Sequence, residues 1–148
     1  MKPFFVLISV FVISLAMTSL FSTMNIILSG KIAMSVMLLF TSIGHFKFTN
    51  GMVMMLPERM PAKKELVLIT GIIEILAAIG ILIPAIAKLT GILLIIFFVL
   101  ILPSNISAAI RNVNYEKADY TGKGTEYLWF RIPFQLLLIG WVYFFVIR

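Results

Sequence analysis

Six acidic residues occur in this 148-residue chain, and five of them (Glu58, Glu65, Glu116, Asp119 and Glu126) fall between apolar runs or at their ends. Glu74 alone stands inside one, about ten residues from its start at Lys64, which is about 15 Å along a helix. A charge at that depth in a bilayer costs roughly 2.5–3.5 kcal/mol on insertion scales, so the carboxyl must be protonated, paired or facing water. A desolvated carboxyl of this kind is suited to carrying a proton. The single histidine, His45, ends another run behind Thr41 and Ser42 and could serve as acid or base beside it. Asn105 follows Pro103 near the end of a third run, and Arg131 and Gln135 share a face of a fourth at i, i+4 spacing. Glu74 and His45 are the candidate catalytic residues. Asn105, Arg131 and Gln135 are the candidate ligand-binding residues, and His45 and Arg131 would donate hydrogen bonds to a ligand oxygen. No metal set is available beyond the His45–Glu74 pair, which offers too few ligands.

The elements that must position these residues follow from composition. Hydrophobic residues make up 61% and charged residues 12% of the chain, with a mean hydropathy of +1.12. Soluble domains are nearer 45–50% apolar and about 25% charged, so the chain reads as an integral membrane protein. The absence of cysteine removes disulfides, thiol redox chemistry and cysteine-held metal. Five apolar segments appear, at about 3–28, 31–48, 64–84, 87–110 and 127–147. Each is close to the roughly 20 residues a helix needs to cross a bilayer, and only helices satisfy their backbone singly in lipid. The first is expected to be an uncleaved helix rather than a signal peptide, because Lys2 is the only charge ahead of it and the run is long. The turn at Pro84 predicts an antiparallel hairpin. The link 47–63 is rich in methionine and broken by Pro57 and Pro61, and its methionines fit interfacial packing. The link 111–126 is polar.

Alternating spans gather nine of the twelve basic residues on one side, leaving Lys31, Lys88 and Arg148 on the other. The positive-inside rule makes the richer side, with the N-terminus, cytoplasmic. The net charge of +6 is thus a topology signal facing lipid headgroups rather than a nucleic-acid surface. Helix direction brings His45, Glu74, Asn105, Arg131 and Gln135 toward one pocket in the cytoplasmic half. Each also has a plainer role open to it. Arg131 can snorkel, His45 can cap its helix, Asn105 can repair the backbone around Pro103, and Gln135 can join helices. Tyr127, Trp129, Trp141 and Tyr143 fit aromatic belts. The run Thr121-Gly122-Lys123-Gly124-Thr125 lacks the glycine and Gly-Lys-Ser/Thr order of a phosphate loop, and Asn105-Ile106-Ser107 lies in an apolar helix, unsuited to glycosylation.

Gly44-His45-Phe46, then Gly71-Ile72-Ile73-Glu74-Ile75-Leu76, Gly80-Ile81-Leu82-Ile83-Pro84, Pro103-Ser104-Asn105, and finally Leu128-Trp129-Phe130-Arg131-Ile132-Pro133-Phe134-Gln135 occur in that order. The ordered set resembles the DoxX-like family of small bacterial membrane proteins over about residues 30–147. The resemblance implies an all-α membrane protein with a four-helix transmembrane bundle core at 30–148 and an additional N-terminal transmembrane helix at 1–29. It implies a bacterial inner-membrane location and association with quinone-linked redox chemistry, with quinone as the ligand and a partner protein as the electron source. Membrane lipids are the other partners, and a chain this short is compatible with a homo-oligomer. A non-redox lipid-ligand-binding protein or enzyme, and a structural or assembly factor, are the alternative readings.

Overall fold

The computed structural model describes residues 2–20 and 25–148 and is helical throughout, apart from an isolated antiparallel bridge between Asn114 and Asp119. Its helices are α1 (Lys2–Leu20), α2 (Ile26–Lys47), α3 (Thr49–Met55), α4 (Lys63–Gly80), α5 (Ala87–Ile110) and α6 (Leu128–Val142). A 3₁₀ turn, Gly124–Tyr127, leads into α6, and a π turn, Tyr143–Ile147, continues it. Among the described residues, four segments are long and apolar enough to cross a membrane: α1, α2, α5 and the continuous stretch Gly124–Ile147. The chain is therefore a membrane protein by length and composition of its helices. The expected third span, α4, is not among the four, because Lys63, Lys64, Glu65 and Glu74 place four charges within its 18 residues.

The first two expected boundaries are corrected. The apolar run was expected to carry one helix to Leu28, but α1 ends at Leu20 and α2 starts at Ile26. Asn25 is the reason: its side-chain oxygen accepts the backbone N–H of Leu28 at 2.9 Å and caps α2. The division expected between residues 29 and 30 thus falls inside α2; residues 21–24 lie outside the described residues. The α4–α5 hairpin forms as expected, and α4 stops at Gly80, short of Pro84. The link 47–63 is not merely a broken connector, since α3 fits between Phe48 and Leu56 before Pro57 intervenes.

The helices alternate in direction, so α1, α4 and α6 begin at one end of the bundle, where α2 and α5 finish. At the opposite end the packing is close. A side chain at Gly80 would meet the Thr90 hydroxyl at 2.6 Å, and one at Gly30 would meet the ring of Phe145. The indole of Trp141 donates to the Gly30 carbonyl at 3.0 Å. Small residues allow this approach, which drives helix association where lipid removes the hydrophobic incentive. Leu7, Met34, Leu38, Ala78, Ile81 and Val142 are fully buried. Leu76, Leu89, Leu100 and Leu136 face outward, as lipid-facing positions would.

Helix α1 is part of this bundle rather than an appendage. Leu7 belongs to the core, Phe4 lies edge-on to Phe130 and Phe134 of α6, and Phe11 packs on Trp141 and Phe145. Aromatic edge-to-face pairs each add about 0.5–1.5 kcal/mol beyond area burial.

Candidate functional site

The two long links cover the end at which α1, α4 and α6 begin, and beneath them lies a cavity of about 580 Å³. Side chains from all six helices line it. All five residues singled out from the sequence, His45, Glu74, Asn105, Arg131 and Gln135, reach it. Most of the remaining lining is apolar, with Phe97, Phe98, Phe130 and Phe134 prominent.

The polar residues fall into two groups. The first is carried by α2 and α4. Glu74 is 6% exposed. Its Oε1 lies 3.5 Å from His45 Nε2, and its Oε2 accepts the Thr41 hydroxyl at 2.8 Å. The other imidazole nitrogen, Nδ1, is 3.0 Å from the carbonyl of Val67 and 3.1 Å from the Thr70 hydroxyl, which itself donates to Val67 at 2.8 Å. One turn and more deeper, Ser35 donates to the Ala78 carbonyl at 2.6 Å. Gly71 makes the cluster feasible, because a side chain there would press on the His45 Cβ at 2.7 Å. Thr41 and Thr70 stand on the faces expected to carry His45 and Glu74, but the sequence does not reveal which atoms they meet.

The second group is carried by α5 and α6. Arg131 Nη1 donates to Asn105 Oδ1 at 2.9 Å, and the guanidinium lies 4.9 Å from the Tyr127 ring centroid. Arg131 forms no ion pair with a carboxylate among the described residues. Gln135 Nε2 donates to the Phe98 carbonyl at 2.6 Å, inside α5. Gln135 therefore joins α6 to α5 while also facing the cavity. Among the described residues no three acidic, imidazole or thiol groups come together to hold a metal ion.

Sequence reasoning missed three contributions. Tyr127, assigned to an aromatic belt, lines the cavity beside Arg131; its spacing of four from Arg131 was the available signal. Met52 and Met55, assigned to interfacial packing, line it from α3. The rim contains an ion pair, Lys2 Nζ to Glu116 Oε1 at 2.8 Å, joining the start of α1 to the 111–126 link. The Lys2 ammonium beside Glu116 holds that carboxyl below the usual carboxylate range. Arg111 fastens the other covering element, donating from Nη2 to the Leu56 carbonyl at the end of α3 at 2.9 Å and to the Ser107 hydroxyl at 3.1 Å.

The arrangement is a mostly apolar chamber with a carboxyl–imidazole couple on one pair of helices and a guanidinium held by neutral partners on another. It can take a lipid-soluble molecule bearing oxygen atoms. A family described as a domain of unknown function (DUF8561) matches residues 34–146, and the chain belongs to that family. No curated protein and no solved structure matches it.

Proposed function

We propose that this DUF8561 member is a multi-pass subunit of the bacterial inner membrane, of the DoxX-like type, that holds a quinone in the chamber beneath its two long links. The carrying observation is the convergence of His45, Glu74, Asn105, Arg131 and Gln135, from four helices, on one apolar cavity of about 580 Å³. Pockets of roughly 300–1,000 Å³ suit small organic ligands. A hydrocarbon chain would need none of those polar groups. A quinone ring has two carbonyl oxygens, one for Arg131 and one for the His45–Glu74 couple, and its isoprenoid tail suits the phenylalanine-rich lining. Electrons would come from a partner protein, and the chain's own groups would orient the ring and supply hydrogen bonds.

In this reading α4 is a fifth crossing. Its 18 residues span about 27 Å, Lys63, Lys64 and Glu65 lie at its aqueous end, and Glu74 is relieved by Thr41 and His45. The N-terminus and both long links are cytoplasmic, supported by the nine-to-three bias of basic residues.

A non-redox lipid ligand is the second reading, favoured by Arg131, whose positive charge has no carboxylate partner among the described residues and would suit an anionic headgroup. Both are tested by native mass spectrometry and solvent extraction of protein transferred directly from membranes into nanodiscs, wild type beside Arg131→Gln. Stoichiometric quinone that falls in the variant supports the first reading. A fatty acid or phospholipid behaving that way replaces it with the second, and a chamber empty in both proteins refutes ligand binding.

A further inference from the structure

The hydrogen-bonding around His45 fixes more than its position. A carbonyl oxygen has no hydrogen to give, so the 3.0 Å contact between His45 Nδ1 and the Val67 carbonyl requires a proton on Nδ1. The Thr70 hydroxyl spends its own hydrogen on Val67, at 2.8 Å, and turns its oxygen toward the same nitrogen at 3.1 Å. Neutral His45 therefore carries its hydrogen on Nδ1 and points the Nε2 lone pair at Glu74 Oε1, 3.5 Å away.

Two bare lone pairs at that distance in an apolar chamber repel, and a buried ionised carboxylate without a counter-charge is expensive. One proton between the two groups removes both penalties. On either partner it leaves the couple with no net charge, as carboxylic acid with neutral imidazole or as carboxylate with imidazolium. Thr41 accommodates both forms: its hydroxyl can donate to Glu74 Oε2 at 2.8 Å or turn to the Leu38 carbonyl at 3.0 Å and accept. The other ionisable groups of the chamber have partners elsewhere. Lys2 pairs with Glu116, Tyr115 contacts Glu116, Lys47 lies over the Phe48 ring, and Arg131 meets Asn105 and the Tyr127 ring.

We infer that His45 and Glu74 jointly hold a single proton, which the carbonyl of Val67 directs to the Nε2–carboxyl side, where it is presented as a hydrogen-bond donor to one oxygen of the ligand. Thr70 and Val67 are positioning groups, acting through the imidazole. The assignment rests on the proposed ligand site for its last clause only; the proton count and the tautomer stand on the protein's own contacts.

The chain's one histidine makes the test direct. Protein labelled with ¹⁵N-histidine is placed in nanodiscs at neutral pH, and the two ring nitrogens of His45 are observed in wild type and Glu74→Gln, each with and without decylubiquinone. The expected spectrum has Nδ1 protonated in both proteins, with the Nε2 resonance displaced between them because only wild type holds the shared proton. Decylubiquinone should move Nε2 in wild type alone and leave Nδ1 in place. A bare Nδ1 in wild type, or an Nε2 resonance identical in the two proteins, overturns the inference. The wild-type spectrum decides the tautomer even if the variant fails to fold. The expected pattern without any response to decylubiquinone upholds the shared proton and refutes the quinone.

Discussion

Around Gly30 and Gly80 the helices meet closely enough that a single added carbon would collide with Phe145 or Thr90, and the neighbouring core is made of Ala33, Met34, Ala78, Ile81 and Val142. Around His45 and Arg131, at the other end of the same helices, the space is a partly open cavity flanked by a seven-residue helix and a polar link. Packing at the first end uses neutral polar groups only, the Trp141 indole on the Gly30 carbonyl and the Ser35 hydroxyl on the Ala78 carbonyl. The second end keeps a carboxyl, an imidazole and a guanidinium out of bulk water, which costs free energy unless each is hydrogen-bonded. The bundle is thus held together where it has no chemistry to do, and the end that carries the polar groups can remain open. Pre-formed cavities need support of this kind, since unfilled space forfeits dispersion contacts.

Substitutions can break or sharpen that contrast. Replacing Gly30 by Leu should act most strongly, because the new side chain claims the site of the Phe145 ring. Overpacking costs about 1–3 kcal/mol, so the thermal midpoint of the nanodisc-embedded protein should drop by several degrees while content of the proposed quinone per folded molecule holds. A normal midpoint would show that the closed end is not the clamp. Arg131→Gln should do the reverse. Losing a charge-assisted hydrogen bond is worth about 1.5–3 kcal/mol, or roughly tenfold to a hundredfold in affinity for the proposed quinone by titration, with the midpoint nearly unmoved. A large loss of stability instead would make Arg131 a structural residue.

Gly71→Ala sits between the two ends in character. The methyl must displace the His45 stem, and a several-fold loss of affinity at intact stability is expected; unchanged affinity would show that the imidazole position is not critical. The smallest effect belongs to the rim. Lys2 holds the Glu116 carboxyl below its usual range, so this tether contributes above the unfolded-chain value of about 4.3 and fades as pH falls from there through the lowered folded value. Both side chains are well exposed, 66% and 38%, which limits the tether to less than about 1 kcal/mol. Crosslinking between a cysteine placed at Phe5 and one at Lys117 should weaken modestly in Glu116→Gln and on acidification, and constant yield would dismiss the tether.

Much of this was readable from residue order. The helix Ala87–Ile110 has the bounds its apolar run predicts, because charge and proline mark both flanks. Asn25 was harder to read as a cap, since the apolar run continues on either side of it and only the local hydrogen bond to Leu28 reveals the break. Helix α3 was hidden by Pro57 and Pro61, which signal interruption but do not exclude seven helical residues ahead of them. For the site, counting helical rise from each flank sufficed to bring His45, Glu74, Asn105, Arg131 and Gln135 to one level of the bundle. Depth does not fix rotation, however. That Glu74 meets His45 while Arg131 meets a neutral amide depends on how α4 and α6 turn about their own axes. Tyr127 was not read as a lining residue because a tyrosine near a helix end satisfies an interfacial belt and a cavity wall equally well.

The aromatic seam between α1 and α6 bears on how the molecule is made. Ribosomes deliver α1 well before α6, yet these two are neighbours. Until α6 leaves the translocon, Phe4 and Phe11 face lipid where their final partners will stand, and the chamber lacks Arg131, Gln135 and the rings of Phe130 and Phe134. Contacts that close so long a loop are slow to form. The aromatic seam is consequently closed only once α6 has joined α1, and a chain cut short before α6 lacks that whole wall of the cavity.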